Sequence, residues 1–462
     1  DRSVSRGLGD VYKRQDVDAR LDELLTLVFD THAAVQSHSR TFDADAHHAL
    51  ARRAAAESIV LLKNENDLLP LEEGTEVAVI GDFAQTPRYQ GAGSSAVNSI
   101  KVDTFLDCLK ESGLASVGFA PGFDRQGKPD AAKQAEAVAL AQKAEVVLLC
   151  LGLDEIKESE GLDRGDMRLA DNQIELLKAV QQANPNTVVV LSAGASLETP
   201  WLKHCRTLVY GALGGQAGAG AMLDVLTGKV NPSGKLPMTF AVKYGDAPSD
   251  ANFPFDYEFK MPSFAMGTGM NFKSDKKEEK PKEPERNVDF TLYEEGIYVG
   301  YRYFDTFGKE VSYPFGHGLS YTTFEYAVEE AAIDGDRCRM KVSVKNTGKV
   351  AGREAVQLYV KAPEGGMDKP AKELKAFGKT RLLKPGESQT LTLEWNVMDM
   401  ASFNEKSSSW ELAKGEYQWM AAASSADVRC TTVQKVAKAR KQKVHDAMRA
   451  QVPVAVHPMV KR

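Results

Sequence analysis

The spacing of apolar positions changes along the chain, and the first part has the spacing of helices. Between Val17 and Val35, apolar residues recur every three or four positions, which predicts one amphipathic helix. A second helix is predicted to end at Ser58 and to begin at Asp43 or Asp45, because either carboxylate is a suitable N-cap. Two helices are therefore expected before the first apolar strand.

From Glu76 onward, short apolar runs alternate with amphipathic segments. The runs have the length of buried strands: Val77–Ile80, Val146–Leu153, Thr187–Leu191 and Thr207–Tyr210. The segments between them have helical spacing: Thr104–Ser112, Asp130–Lys143, Asp171–Gln182 and Gln216–Leu226. This alternation predicts an α/β fold, a mainly parallel sheet with helices on both faces, over residues 51–245.

After an irregular stretch, apolar residues recur at every second position, the period of β-strands. Residues 246–325 are predicted to be a linker, in which Lys273–Arg286 is a charged, mobile loop. Strands with turn signals between them follow at Arg339–Val344, Glu354–Val360 and Thr390–Trp395, which predicts an all-β sandwich over residues 326–430. Residues 431–462 are predicted to be a basic tail, with a helix at Val433–Met448. A solvated extension is favoured for this tail over a nucleic-acid or membrane contact.

Composition narrows the classes of function. The net charge of −6 argues against a nucleic-acid-binding protein, and no apolar run reaches the ~18 to 20 residues that would span a membrane. Five widely spaced cysteines without a CxxC pair argue against a disulfide framework or a zinc site, which favours a reducing, cytoplasmic compartment. No metal or cofactor is predicted, and the oligomeric state is left open, a homo-oligomer included. Asp1–Gln15 lacks an initiating Met, and we expect it to be a non-native, adapter-like segment.

One acidic loop carries candidate chemistry. The segment from Glu158 to Arg164 directly follows the predicted strand Val146–Leu153, and open α/β sheets bind ligands at the carboxyl ends of their strands. A carboxyl group near apolar walls has a raised pKa and can donate a proton near neutral pH, whereas a neighbouring arginine would keep it ionised. The alternative is an ordinary acidic surface loop.

The same loop resembles glycoside hydrolase family 3, the β-glucosidase and β-xylosidase group. The matching residues are Glu160-Gly-Leu-Asp-Arg164, followed by Leu169 and Gln173. The resemblance implies that Glu160 is the catalytic acid/base, with Glu158 as the competing candidate. It also implies that Asp163 and Arg164 orient or cap the loop and lie near substrate. Arg88, in Arg88-Tyr-Gln-Gly-Ala-Gly-Ser-Ser95, is implied to contact substrate from the loop after the first strand of the domain.

The resemblance extends over nearly all of the chain after residue 16. Its other segments are Ser58–Glu65, Asn231–Pro237, Tyr313–Tyr321, Asn346–Gly348 and Gln357–Val360. It implies an α/β sandwich domain followed by a fibronectin type III-like domain. One turn departs from the family pattern, since this chain has Leu213-Gly-Gly-Gln216 where the family usually has Pro-Gly-Gln.

The resemblance also implies what the 462 residues do not contain. The first domain of the family is a (β/α)8 barrel with the nucleophilic Asp, and residues 16–50 match at best its last helix and a linker. We therefore expect the C-terminal part of a retaining β-glycosidase that acts on terminal β-linked sugars. It would require no cofactor and would be inactive without the nucleophile.

Two other classes of function compete with this interpretation. The chain could be a non-catalytic carbohydrate-binding or scaffold protein. A nucleotide-dependent enzyme is suggested only by Gly91-Ala-Gly93, which lacks the third glycine of a dinucleotide fingerprint. Trp201 could be a sugar-stacking platform or a core residue. His317 is predicted to be a turn histidine bound to the backbone rather than a catalytic residue.

Overall fold

A computed structural model describes residues 9–38, 41–253 and 293–447. The chain divides into two compact units, one up to Leu50 and one from Ala51 onward. The predicted charged loop at 273–286 lies outside the described residues. Among the described helices, none has the length and apolar character needed to cross a bilayer.

The two predicted N-terminal helices are confirmed. Helix α1 comprises Gly9–Ser37 and α2 comprises Ala44–Ser58. Asp43 caps α2, because its Oδ1 accepts a hydrogen bond of 2.9 Å from the backbone N–H of Ala46. The apolar side chains that gave α1 its predicted amphipathic spacing are exposed, Leu24 at 56% among them.

A six-stranded sheet forms the α/β part. Its strands are β1 (Val60–Asn64), β2 (Glu76–Ile80), β3 (Ala115–Ala120), β4 (Val146–Gly152), β5 (Thr187–Ser192) and β6 (Thr207–Tyr210). Their order is β1-β6-β5-β4-β2-β3, with β1 antiparallel to β6 and the other neighbours parallel. The mainly parallel sheet that the apolar runs predicted is therefore confirmed.

Four helices accompany this sheet and enclose its core. They are α3 (Phe105–Leu109), α4 (Ala131–Ala141), α5 (Asp171–Ala183) and α6 (Gly218–Leu226). Helix α3 packs with α6, and α4 packs with α5. Thr104 caps α3 and Asp130 caps α4, each accepting a hydrogen bond from a backbone N–H in the first turn. All seven residues of β4 are buried, as expected for a central parallel strand covered on both faces.

Short elements lead into a β sandwich. They are β7 (Phe240–Ala241), α7 (Tyr301–Thr306) and β8 (Val311–Tyr313), and β7 pairs with β8. One sheet of the sandwich has the order β13-β10-β9, and the other has the order β12-β11-β16-β17. These strands are β9 (Phe324–Asp334), β10 (Arg337–Asn346), β11 (Ala355–Lys361), β12 (Glu373–Lys379), β13 (Ser388–Asn396), β16 (Gly415–Ser424) and β17 (Asp427–Val436). A small third sheet joins β14 (Ser402–Asn404), β15 (Ser409–Leu412) and β18 (Arg440–Lys443).

Two predictions about the second half of the chain need correction. The prediction of a helix at Val433–Met448 was wrong, because this segment contains the end of β17 and all of β18. The predicted end of the sandwich at residue 430 falls inside β17, which pairs with β16 as far as Val436. From Arg429 to the end of β17, exposed positions alternate with buried or partly buried ones, which is the period of a strand with one face on the core.

Candidate functional site

The candidate site lies where two neighbouring strands of the parallel sheet end. Strands β2 and β4 are adjacent, so the loops that follow them leave the same edge of the sheet. The loops meet through their main chains: Ala92 forms a parallel bridge with Ser159, and Glu160 donates its N–H to the carbonyl of Ala92 over 3.1 Å. The acidic loop is thus joined to the glycine-rich loop that contains Gly91 and Gly93.

Glu160 is exposed, and one of its carboxylate oxygens is held by Ser94. The Oε2 atom accepts a hydrogen bond of 2.6 Å from the backbone N–H of Ser94 and a second, short one from its hydroxyl. Both bonds lower the pKa of Glu160 below its ordinary value, and the bond from the hydroxyl has the larger effect. The raised pKa expected for a carboxyl near apolar walls is therefore not what the geometry gives, because the group is exposed and accepts two donors.

Glu158 has a different environment from Glu160. Its side chain is 11% exposed, and its Oε2 accepts a hydrogen bond of 2.9 Å from the backbone N–H of Gly194. The same oxygen lies 3.9 Å from Nη2 of Arg88. Since Gly194 follows β5, Glu158 connects the loops after β4 and β5 instead of facing solvent.

Arg88 is buried at the base of the acidic loop. It is 4% exposed and donates hydrogen bonds to the carbonyls of Leu153 (3.0 Å), Glu158 (2.8 Å) and Gln90 (3.2 Å). The fork of the guanidinium group suits such multiple contacts. Arg88 therefore fixes the loop backbone, and its predicted contact with substrate stays a prediction.

Asp163 and Arg164 are not paired with each other. Asp163 is exposed, whereas Arg164 is half-buried and donates to the carbonyl of Ser196 over 3.2 Å. The hydroxyl of Tyr244 donates to the carbonyl of Arg164 over 3.4 Å. Arg164 thus ties the end of the loop to the segment after β5, and the predicted closeness of both residues to substrate stays a prediction.

Three residues that shape the site have no functional role in the sequence argument. Ser94 binds Glu160, Gly194 binds Glu158, and Gln173 makes two hydrogen bonds with the main chain of Gly152 at the end of β4 (3.0 and 2.9 Å). The rule that loops meet at the carboxyl ends of adjacent parallel strands could have indicated Ser94. Pairing it with Glu160 would have required the strand order, which the sequence does not contain.

The remaining candidates are accounted for by packing. Trp201 is 1% exposed and belongs to the core of the α/β part, so it is not a sugar platform. His317 hydrogen-bonds through Nε2 to the carbonyl of Leu62 over 3.0 Å, which confirms its prediction as a backbone-bound histidine. Within the described ranges, no group of three or more His, Cys, Asp or Glu side chains is arranged to hold a metal ion.

Two family models match the chain. The glycosyl hydrolase family 3 C-terminal domain matches residues 59–301, and the fibronectin type III-like domain matches residues 354–425. An exo-α-(1→6)-L-arabinopyranosidase of Bifidobacterium breve is 40% identical over 424 residues, which are 89% of this chain and 52% of the relative. The thermostable β-glucosidase B of Acetivibrio thermocellus is 40% identical over 394 residues, 84% of this chain and 48% of the relative. The chain thus spans about half the length of these curated relatives.

Solved structures give the same result. A family 3 β-glucosidase of Bifidobacterium adolescentis superposes with a TM-score of 0.78 at 40% identity, covering 89% of this chain and 56% of that one. The β-glucosidase 3B of Thermotoga neapolitana, solved with α-D-glucose, superposes with a TM-score of 0.73 at 34% identity, covering 88% and 56%. The α/β sheet with its acidic loop, the β sandwich and these matches agree: the chain belongs to glycoside hydrolase family 3.

Proposed function

We propose that this chain carries the acid/base half of a retaining β-glycosidase, and that Glu160 is the acid/base. The supporting observation is the contrast between the two candidate carboxylates. Glu160 is exposed at the carboxyl end of the sheet, whereas Glu158 is 11% exposed and bound to Gly194. A general acid/base has to reach the substrate within hydrogen-bond distance, which favours Glu160.

The chemistry requires a second carboxylate. In a retaining glycosidase, the nucleophile attacks the anomeric carbon while the acid protonates the leaving oxygen, and the same residue then deprotonates the incoming water. The two carboxyl groups lie about 5 to 5.5 Å apart. No residue of this chain matches the family nucleophile, so we propose that it belongs to a part of the protein outside the 462 residues.

The pKa of Glu160 supports this division. A general acid near neutral pH needs a raised pKa, whereas Ser94 lowers the pKa of Glu160 in this chain. A nucleophile carboxylate at the distance given above would oppose that effect, because like charges disfavour ionisation. The second carboxylate would therefore move the pKa of Glu160 toward the range that a proton donor requires.

The substrate is proposed as a glycoside with a terminal β-linked sugar at its non-reducing end. The names of the relatives suggest two candidates, a β-glucoside and an α-L-arabinopyranoside. The glycosidic bond of the second is equatorial like that of a β-D-glucoside, although it is named α in the L series. Both are to be assayed as 4-nitrophenyl glycosides.

The test compares the chain alone with the protein extended upstream in its source DNA. We expect the chain alone to be inactive and the extended protein to hydrolyse one of the two glycosides. In the extended protein, Glu160→Gln should lower kcat by about 10²- to 10⁴-fold, the contribution of general acid/base catalysis, because water must then attack the glycosyl-enzyme without a general base. Azide should restore turnover in Glu160→Gly, because this anion attacks the glycosyl-enzyme without a general base.

Glu158→Gln is the matched control. It keeps the size of the side chain and leaves Glu160 in place, so azide should not increase its turnover. Robust hydrolysis by the 462-residue chain alone would contradict the proposal. Azide rescue in the Glu158→Gly variant but not in Glu160→Gly would move the role to Glu158.

A further inference from the structure

Ser94 directs both of its donors to a single oxygen of Glu160. Its backbone N–H lies 2.6 Å from Oε2, and its hydroxyl binds the same atom. Within the described part of the chain, Oε1 of Glu160 accepts no hydrogen bond. The two carboxylate oxygens of Glu160 are therefore not equivalent.

The loop that carries Ser94 is fixed by its own contacts. Gly93 has φ +102°, and a Cβ added there would lie 2.5 Å from Cβ of Glu160, so this close approach requires glycine. The side-chain amide of Gln90 accepts a hydrogen bond of 2.9 Å from the N–H of Val97 and donates one of 3.0 Å to the carbonyl of Val97. Ser94 is thus presented to Glu160 by a defined turn.

We propose that Ser94 is a positioning residue for Glu160, one that occupies Oε2 and so makes Oε1 the oxygen that carries and transfers the proton. This inference rests on the function proposed above. In the first step, the proton leaves Oε1 for the glycosidic oxygen as the nucleophile carboxylate bonds to the anomeric carbon and the bond from that carbon to the glycosidic oxygen breaks. In the second step, Oε1 takes a proton from water as the water oxygen bonds to the anomeric carbon and the bond from that carbon to the nucleophile carboxylate breaks. The two hydrogens that Ser94 donates, on its backbone nitrogen and its hydroxyl, stay on Ser94 in both steps.

The two donors act unequally on the two protonation states. Hydrogen bonds to a carboxylate are stronger than those to a neutral carboxyl, so Ser94 stabilises the ionised form that the second step requires. The lowered pKa of Glu160 has this cause. Removing the hydroxyl should therefore raise the pKa of Glu160 while the backbone N–H remains.

The titration of Glu160 in the 462-residue chain tests this directly. The chain is labelled with 13C at the glutamate side-chain carboxyl carbons, and the Glu160 resonance is assigned by its loss in Glu160→Gln. We expect Ser94→Ala to move the titration midpoint to higher pH. Ser94→Thr, which keeps a hydroxyl, should stay close to the wild type. Ser95→Ala is the matched control, because Ser95 is exposed on the same loop and has no hydrogen bond to Glu160.

A second measurement connects the titration to catalysis. In the extended enzyme, the high-pH limb of kcat/KM reports the acid/base of the free enzyme. This limb should move to higher pH in Ser94→Ala and stay in place in Ser95→Ala, a split that a loss of folding alone would not produce.

The outcomes separate this inference from the proposed function. An unchanged midpoint in Ser94→Ala, or an equal shift in Ser95→Ala, would overturn the role of Ser94 whether or not Glu160 is catalytic. A raised midpoint without a moved kinetic limb would also overturn it, since the contact would then not act on the reaction. Full activity of Glu160→Gln would instead reject the proposed function and leave the titration result standing.

Discussion

Arg88 lies beneath the acidic loop and bonds to main-chain oxygens from three positions. These carbonyls belong to Gln90, Leu153 and Glu158, and the carboxylate of Glu158 lies 3.9 Å from the guanidinium group. Both side chains are largely buried, at 2% and 11% exposure. Removing the cation would leave three carbonyls without this donor and the largely buried carboxylate of Glu158 without its opposite charge.

Arg88→Met should therefore destabilise the α/β part strongly. We expect the free energy of unfolding in urea to fall by about 3 to 5 kcal/mol, the usual effect of removing one partner of a buried ion pair. Arg168→Met is the control, because the Arg168–Asp171 pair is exposed and should contribute less than about 1 kcal/mol. A loss in Arg88→Met of less than about 1 kcal/mol, as expected for the control, would show that Arg88 is not structural.

At the scale of elements, strand β1 is covered along its outer edge. Leu61 forms an antiparallel bridge with Leu319, and His317 reaches the carbonyl of Leu62 through Nε2. An exposed strand edge can pair with a strand of another chain. The segment from His317 to Leu319 covers this edge of β1 and so prevents such pairing. Burial is the main cause that lowers the pKa of His317, and the charge of the nearby Lys235 lowers it further. The hydrogen bond to Leu62 and the charge of Asp427 oppose this effect.

The lowered pKa of His317 predicts a pH dependence of stability. The folded state takes up a proton on this histidine less readily than the unfolded state, in which the ordinary pKa is about 6.5. The contribution is therefore present above that pH and is lost as the pH falls towards the lower, folded-state pKa. His317→Gln cannot titrate but can still donate to Leu62. Between about pH 7.5 and about pH 5.5, its free energy of unfolding should fall less than that of the wild type.

Urea unfolding at the two pH values measures this difference. His32→Gln is the control, because His32 is exposed on α1, and its pH dependence should match that of the wild type. A fall in His317→Gln as large as in the wild type would contradict the prediction.

The sequence predicted elements well where burial follows a simple period. The central strands β4, β5 and β6 are bounded within a residue of their predicted ends, because continuous apolar runs are typical of covered parallel strands. Strand β3 was missed, since it lies at the edge of the sheet and only Ala120 is fully buried. The choice of Glu160 as the candidate acid/base followed from its position after β4 and the family motif, and it stays a prediction. The contact of Ser94 with Glu160 depends on the adjacency of β2 and β4, a long-range fact without a local signal.

At the scale of the whole second unit, a buried ion pair joins the α/β part to the sandwich. Nζ of Lys235 lies 3.0 Å from Oε1 of Glu354, with side-chain exposures of 14% and 8%. Nearby, Nδ2 of Asn231 donates to the carbonyl of Ala351 over 3.0 Å. Charge and amide contacts of this kind fix an orientation, because a displaced partner would leave a buried polar group without its bond.

A double-mutant cycle tests whether this pair couples the two parts. Lys235→Met and Glu354→Gln should each lower the free energy of unfolding, since each leaves part of the buried pair uncompensated. The double variant should lose less than the sum of the single losses, with a coupling of about 0.5 to 3 kcal/mol. Urea denaturation gives all four values, and additive losses would mean that the pair does not couple the two parts.

The bonds that hold the acidic loop end largely on main-chain groups. The carbonyls of Ala92, Leu153 and Glu158 and the N–H of Gly194 are present whatever side chains these positions carry. Mutational drift at the exposed tip, at Leu162 or Asp163, therefore leaves the support of Glu160 intact. Under the function proposed above, such a loop can evolve new preferences for the departing group while Glu160 keeps its place, which gives the lineage room to diversify.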